Sequence, residues 1–292
     1  NRDFATPGST KEESTAEGTR EDNKILNSEE KHKPIDRVDA VIIVAIPEEK
    51  KGVFDAFRVP HEERGTGVWN SEYNFRYHRF DIEEFSLVLL KQTKMGMTAA
   101  ASLATRAIMA FKPRLIAMAG ICGGRKGKTN LGDIIVASTV FDHTAGKHYS
   151  ERFKFRPDAI PLDDAISDIV SNAAVGDDVL IGNIRRNYGG DCPPGEIKVH
   201  LAPIASGTAV IDNPEVVDGI TVVQDDMAGI DMEAYGLACA AKVFGTKWIV
   251  AKAVQDFADG SKSETEEKVR SFAAFASAEL LRLLLEDFME VV

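Results

Sequence analysis

Runs of apolar residues alternate along the chain with segments of helical pattern. Residues 38–46 are almost entirely aliphatic and rich in Val and Ile, which is typical of a strand covered on both faces. Residues 115–119 and 199–204 have the same character, and an Ala-rich helical segment ends before Pro113. This alternation predicts a three-layer α/β/α sandwich with a mixed, mostly parallel central sheet.

Two further patterns extend this prediction. Alternating residues at 73–80 and an apolar run at 85–90 predict a hairpin that leads into the sheet. Residues 263–288 have apolar positions at helical spacing and predict an amphipathic closing helix. Between them, residues 141–161 form a long polar and aromatic segment, which we interpret as a loop over a strand end.

The first 35 residues differ in character from the rest. They are rich in Glu, Lys, Thr, Ser and Asn, with Phe4, Ile25 and Leu26 as their large apolar residues. Such a segment buries too little surface to offset its ordering entropy. We therefore predict a disordered tail or interdomain linker over residues 1–35 and one catalytic domain over residues 36–292. Because the sequence starts with Asn, we expect it to be cut from a longer protein.

Composition excludes several classes of function. A net charge of −11 and a pI near 5.1 argue against nucleic acid as a partner. No apolar run approaches the roughly 20 residues of a membrane helix. Three cysteines without metal-ligand spacing indicate a reducing cytoplasm and no metal site.

The glycine-rich stretch at residues 120–129 matches neither common phosphate-binding fingerprint. A Walker loop needs a glycine five residues before Gly127, where Cys122 stands. A dinucleotide fingerprint opens a helix, whereas residues 134–138 have the pattern of a strand. No cofactor is therefore expected, although such a turn lets a ligand approach the backbone closely.

Acidic residues stand where regular elements begin or end. Glu49 opens a short helix, Asp231 and Glu233 precede an Ala-rich helix, and Asp256 ends a buried strand. Singly, each acid could complement a helix dipole or cap a loop. Together they suit cleavage of an N-glycosidic bond, in which one acid protonates the leaving base, one carboxylate orients a water and one holds sugar hydroxyls.

Six motifs in a fixed order indicate a protein family that carries out this chemistry. They are VIIVAIPEE, LIAMAGICGG, LGDIIVAS, IASGTAVI, GIDMEAYGLA and AKAVQDFADG. This set resembles the nucleoside phosphorylase superfamily, and most of all its methylthioadenosine/S-adenosylhomocysteine nucleosidase branch, over residues 36–292. The resemblance implies hydrolysis of a purine (adenine) nucleoside or nucleotide, ATP included, with release of free base.

The resemblance also implies residue roles. Glu49 matches the glutamate that activates the water, and Asp256 the aspartate that protonates or hydrogen-bonds N7 of the purine. Met232 matches the methionine that packs on the ribose, and Glu233 the glutamate that binds its hydroxyls.

Other positions depart from the family pattern. Val210 and Ile211 match the segment that reads and stacks on the base, where a Phe is usual. Ile121, which follows Gly120 in the substrate-binding stretch, replaces a common Ser. Phosphorylases carry a phosphate-binding Arg where Met118 stands, which favours water as the nucleophile.

The sequence does not decide which group the substrate carries on its 5′ carbon. Lys94, Arg125 and Lys147 are candidate contacts for a 5′ phosphate, because Lys and Arg bind phosphate groups. The motifs also resemble nucleosidase domains of bacterial antiphage effectors, which implies a fused or associated regulatory domain. The family implies a homo-oligomer, dimer or larger.

Two alternatives to the hydrolase function remain: a phosphate-dependent purine nucleoside phosphorylase, and a non-catalytic ligand-binding or assembly module.

Overall fold

The computed structural model describes residues 37–150, 153–260 and 265–292. The tail or linker predicted for residues 1–35 lies outside the described residues. Within them the strands are β1 (Ala40–Val44), β2 (Val68–Asn70), β3 (Phe75–Ile82), β4 (Phe85–Lys91), β5 (Leu115–Gly124), β6 (Ile134–Asp142), β7 (Gly146–His148), β8 (Phe153–Phe155), β9 (Ala159–Pro161), β10 (Val199–Ser206), β11 (Gly229–Asp231) and β12 (Lys247–Asp256).

Helices fill most of the connections between these strands. They are α1 (Pro47–Ala56), α2 (Met97–Phe111), α3 (Asp164–Ala173), α4 (Asp178–Tyr188), α5 (Pro214–Thr221), α6 (Ala234–Phe244), α7 (Thr265–Leu283) and α8 (Leu285–Val291). A single 3₁₀ turn covers His61–Glu63. Within the same described ranges, no helix is long and apolar enough to cross a lipid bilayer.

All strands except β7 and β8 join one mixed sheet. Its order is β11-β10-β6-β12-β5-β1-β4-β3-β2, with β9 paired to β6. The four central strands β12, β5, β1 and β4 run parallel to one another. On either side of them, β6 is antiparallel to β12 and β3 is antiparallel to β4. Strand β11 pairs with both β10 and β5, so β5, β12, β6, β10 and β11 form a closed ring. The predicted α/β fold with a mixed sheet and the predicted β3–β4 hairpin are confirmed.

Both faces of the central sheet are covered by helices. Every residue of β1 is buried, which requires a layer on each side. Helix α1 packs on α7, and α2 packs on α6. The α2–α6 contact is close because alanines face it and because Gly236 carries no side chain. An added Cβ there would stand 2.1 Å from the carbonyl oxygen of Met97.

The structure differs from the sequence predictions in three elements. Strand β5 extends through Gly124, because its last residues pair with β11. The segment predicted as a long loop contains β7, β8 and β9. The predicted closing helix is interrupted at Leu284, so α7 and α8 are separate.

Candidate active site

A cavity of about 140 Å³ lies where β1, β5, β11 and β12 end. Ligand sites of open α/β sheets favour this edge. The structure brings seven predicted site residues to its lining: Glu49, Ile121, Val210, Ile211, Met232, Glu233 and Asp256. They come from five separate parts of the chain, so only the folded sheet assembles them.

Glu49 is fixed at the floor of the cavity by three backbone donors. Helix α1 begins with Pro47, whose fixed φ suits a first helical position, and Glu49 is its third residue. One carboxylate oxygen accepts the N–H of Ala45 at 2.6 Å and that of Ile46 at 3.2 Å. The other accepts the N–H of Ile121 at 2.9 Å. With 2% of its surface exposed, this carboxylate has one orientation.

Gly120 supports Glu49 from behind. It does not itself line the cavity. A Cβ at this position would lie 2.2 Å from Oε1 of Glu49 and 3.1 Å from Nζ of Lys252. Only glycine allows β5 to pass this close to the two charged groups.

Glu233 stands at the start of α6 and is 5% exposed. Its Oε1 accepts the N–H of Gly96, the residue before α2, at 2.9 Å. Burial raises the pKa of Glu233 above its ordinary value, and the charges of Asp231 and Glu49 add to this, although Lys252 opposes it. Glu233 thus belongs to a group of buried carboxyl groups at the cavity, together with Asp231 and Glu49.

Lys252 is the functional residue that the sequence analysis missed. It lies within β12, is fully buried, and points its ammonium at three carboxylates. The Nζ atom is 3.4 Å from Asp231, 3.6 Å from Glu233 and 3.9 Å from Glu49. Burial alone would lower its pKa, but the three carboxylates together raise the pKa above the ordinary lysine value. Lys252 therefore stays charged and offsets the repulsion between them.

A sequence signal for Lys252 exists. It is a lone charge inside the apolar run Trp248–Val254, and a buried charge requires a partner. The partners themselves cannot be inferred from that run, because they lie on α1, β11 and α6.

Asp231 ties this charged group to the scaffold. Its carboxylate accepts the hydroxyl of Ser206 at 2.7 Å and the N–H of Ala234 at 3.0 Å. The Ser206 oxygen in turn accepts the N–H of Tyr235 at 3.0 Å. The start of α6 is thereby joined to the end of β10, which fixes the position of Glu233.

Asp256 lies at the opposite end of the acidic set, after a register shift between Val254 and Asp256 in β12. Bulges of this kind re-aim side chains near active sites. Its carboxylate accepts the N–H of Ala258 and the side-chain amide of Gln255, both at 3.0 Å. Gln255 is oriented by Arg270, which donates to its carbonyl at 2.9 Å. Among the described residues, no lysine or arginine forms an ion pair with Asp256.

The remaining predicted residues form the rim and the walls. Val210 is 64% exposed and Ile211 is partly buried on the segment after β10. Met95, which was not predicted, is 54% exposed and lines the opposite side. Met118 does not reach the cavity. It is fully buried in β5, between Ile43 and Val250 of the neighbouring strands.

The three cations predicted to contact a 5′ phosphate do not line this cavity. The guanidinium of Arg125 donates to the carbonyl of Asp225. Lys147 lies on β7 with its ammonium 4.9 Å from the centre of the Tyr149 ring, and Lys94 is exposed to solvent. Spacing along the chain placed these residues near strand ends, but their side chains follow surface contacts instead.

The described residues do not provide the ligand sets that metal ions require. Across the three described ranges, no group of three or more His, Cys, Asp and Glu side chains is arranged to hold a metal ion. The cavity is lined by the carboxyl groups of Glu49, Asp231, Glu233 and Asp256. That set suits acid–base cleavage at an electron-poor carbon.

Comparison with known proteins agrees with this geometry. The chain is 31% identical over 202 residues to a death domain-containing ATP nucleosidase of Amphimedon queenslandica, covering 66% of this chain and 38% of that protein. It is 27% identical over 216 residues to the 5′-methylthioadenosine/S-adenosylhomocysteine nucleosidase of Maridesulfovibrio salexigens, covering 73% and 87%. The chain spans half or less of the length of the curated relatives that match it at 31–36% identity.

A solved structure has the same fold. The 5′-methylthioadenosine/S-adenosylhomocysteine nucleosidase of Helicobacter pylori superposes with a TM-score of 0.66 at 18% identity, over 86% of this chain and 99% of that one. The sequence model of the Phosphorylase superfamily matches residues 39–288. The resemblance inferred from the six motifs is therefore confirmed, and the chain belongs to the phosphorylase superfamily.

Proposed function

We propose that this chain hydrolyses the N-glycosidic bond of an adenine nucleoside or nucleotide and releases the free base. One observation carries the proposal. Glu49, Glu233 and Asp256 line the same cavity, each held by its own hydrogen bonds, with Lys252 balancing the first two.

The sugar is assigned to the middle of the cavity. Glu233 accepts hydrogen bonds from ribose hydroxyls, and Met232 packs against the ring. As the glycosidic bond stretches, positive charge grows on the sugar carbon, and the nearby carboxylates stabilise it. Lys252 keeps Glu49 and Asp231 from repelling each other while it remains outside the cavity lining.

Two residues carry out the proton transfers of the reaction, Asp256 at the leaving base and Glu49 at the attacking water. The C1′–N9 bond breaks and its electron pair passes to the purine, while Asp256 gives a proton to N7. A water on Glu49 attacks C1′, and Glu49 takes its proton. Water is thereby split between the sugar and the base, and no further reactant is consumed.

Water is favoured over phosphate as the nucleophile. The position where a phosphorylase of this family carries an arginine is Met118, which is fully buried in the sheet. Among the described residues that line the cavity there is no lysine or arginine to bind a phosphate anion. Glu49, by contrast, presents a fixed acceptor for a water proton.

The chemical class of the base is supported by the relatives. Their names place them among ATP nucleosidases and methylthioadenosine nucleosidases. An aspartate near N7 suits a 6-amino purine.

We further propose a homo-oligomer, since exposed Val210 and Met95 at the cavity rim would gain cover from a second subunit. The free thiols of Cys122, Cys192 and Cys239 fit the cytoplasm as the compartment.

Phosphate dependence separates the two enzyme reactions. The protein is incubated with adenosine and with ATP, in phosphate-free buffer and in buffer with added phosphate, and the sugar product is identified by mass spectrometry. Hydrolysis gives ribose from adenosine, or ribose 5′-triphosphate from ATP, at the same rate in both buffers. A strict requirement for phosphate, with ribose 1-phosphate as product, would establish the phosphorylase instead.

A further inference from the structure

A second, larger cavity lies beside the active site. It has a volume of about 470 Å³ and is enclosed by the β2–β3 hairpin, the end of β4 and helix α2. Four cationic side chains line it: Lys50, Arg76, Lys91 and Arg106. Its lining includes no carboxylate from the described residues, in a chain whose net charge is −11.

The four cations have no anionic partner within the described part of the chain. Arg76 lies 5.7 Å from the Trp69 ring, and Lys50 lies 5.3 Å from that of Phe54. Lys91 donates to the carbonyl of Gln92 at 2.8 Å. Ring and carbonyl contacts leave the net positive charge in place, so the cavity attracts anions.

Lys50 and Lys91 are close enough to influence each other. Burial lowers the pKa of Lys50 below its ordinary value, and the positive charge of Lys91 lowers it further. Like charges held together without a counter-ion are costly. A bound anion would remove that cost.

Gln92 gives independent support for a ligand. Its side chain is 1% exposed and lines this cavity, yet neither its Nε2 nor its Oε1 has a hydrogen-bond partner. A buried amide without partners is rare in folded proteins and calls for a ligand or ordered water. Its N–H groups match a phosphate oxygen.

Some residues that line the second cavity are close in sequence to residues that line the first. Lys50 directly follows Glu49 on α1, and Gln92 precedes by three residues Met95, which lines the active site. With the base assigned to Asp256 and the hydroxyls to Glu233, the 5′ carbon is assigned to the part of the lining that contains Met95. Phosphates on that carbon would extend toward Lys50 and Lys91.

We infer that this cavity binds the 5′ phosphate groups of the substrate, which is therefore a nucleotide rather than a nucleoside. The inference rests on the proposed function, because the base and sugar occupy the neighbouring active site. It replaces Lys94, Arg125 and Lys147 as the phosphate contacts. Lys50, Lys91, Arg76 and Gln92 take that role instead.

Substrate preference provides the first test. The ratio of kcat/KM for ATP to kcat/KM for adenosine is measured in the wild type, in Lys50→Gln and in Lys91→Gln. Each change removes a charge-assisted contact to phosphate, so the ratio falls by roughly tenfold or more. Lys51→Gln is the matched control, since this next residue of α1 is exposed and paired with Asp55. It leaves the ratio unchanged.

Direct binding provides the second test. Inorganic tripolyphosphate is titrated calorimetrically into wild-type protein and into Lys50→Gln and Lys51→Gln, and is then tested as a competitor of ATP. Binding that weakens only in Lys50→Gln and competes with ATP supports the inference. No binding overturns it. Binding without competition also overturns it, because the cavity would then serve a separate phosphorylated ligand.

The two tests distinguish this inference from the proposed function. If the wild type releases adenine from adenosine as well as from ATP, and the lysine variants keep the same ratio, the inference fails and the hydrolase stands. If no substrate releases base while tripolyphosphate still competes with ATP for binding through Lys50, the hydrolase fails and the phosphate cavity stands.

Discussion

The buried ammonium of Lys252 lies 3.4 Å from the carboxylate of Asp231, which lines the active-site cavity. Glu49 and Glu233 share the same cation at slightly longer distances. One lysine thus compensates the charge of three carboxylates. The catalytic cavity depends on a charge that does not itself line it.

Removing this lysine should unfold and inactivate the protein together. In Lys252→Met the three carboxylates lose their compensation, and breaking a buried ion pair costs about 3–5 kcal/mol of unfolding free energy. Urea denaturation measures the loss. Lys252→Arg keeps the charge and should retain more of the stability than Lys252→Met. Equal stability of the wild type and Lys252→Met would show that the cluster is not held by charge.

Asp256→Asn should abolish most activity with little change in stability. The amide still accepts the N–H of Ala258, but it cannot give a proton to the leaving base. Loss of a general acid lowers kcat by about 10²–10⁴-fold. Steady-state adenine release measures this. Asp259→Asn, a nearby change at a partly buried residue paired with the exposed Lys126, serves as the control and keeps the wild-type rate.

Gly120→Ala tests the close approach of β5 to Glu49. The added methyl would lie 2.2 Å from Oε1 of Glu49, so the carboxylate must move away from the N–H of Ile121. Overpacking of this kind costs about 1–3 kcal/mol. We expect a comparable loss in urea unfolding together with a lower kcat.

The matched control for Gly120→Ala is Gly182→Ala in helix α4, where no atom lies within 4 Å of the new methyl group. Alanine is the better helix former there, by about 0.5–1 kcal/mol. Gly182→Ala should therefore stabilise the protein slightly and keep its rate. Wild-type stability and rate in Gly120→Ala would refute the packing argument.

The raised pKa of Glu233 predicts how stability depends on pH. Burial is the main cause, and Asp231 and Glu49 reinforce it. The folded protein therefore binds a proton at Glu233 at pH values where the unfolded chain, with an ordinary pKa of 4.5, has released it. The contribution of Glu233 to the unfolding free energy is therefore fully present below pH 4.5. It is lost as the pH rises through the pKa of Glu233 in the folded protein.

Comparison with Glu233→Gln isolates this contribution, since the amide does not titrate. The unfolding free energy of the wild type, relative to that of Glu233→Gln, should fall as the pH rises above 4.5. Urea unfolding at a series of pH values gives both curves. A difference that stays constant or grows with pH would mean that the pKa of Glu233 is not raised.

Much of the fold and of the carboxylate set could be predicted from local pattern. Apolar runs and helical spacing identify β1, β5, β10 and the β3–β4 hairpin, because burial on one or both faces imposes a period on the sequence. Glu49, Glu233 and Asp256 stand at element boundaries, and the ends of strands converge on one edge of a sheet.

What could not be predicted depends on contacts between distant segments. Lys252 gains its role from carboxylates on three other elements, and a single sequence does not state those distances. The pairing of β11 with β5, which closes the ring of strands, rests on Gly229 and Ile230, two residues without a pattern of their own. Lys94, Arg125 and Lys147 were chosen for charge and loop position, but side-chain direction decides which cations reach a ligand.

Release of free base is the most direct test of the central claim. Wild-type protein and Asp256→Asn are each incubated in phosphate-free buffer with ATP, AMP, adenosine and methylthioadenosine, and free adenine is followed by chromatography. We predict adenine from at least one of these substrates with the wild type, at a rate about 10²–10⁴-fold higher than with Asp256→Asn. No adenine from any substrate, or equal rates for the two proteins, would contradict the account.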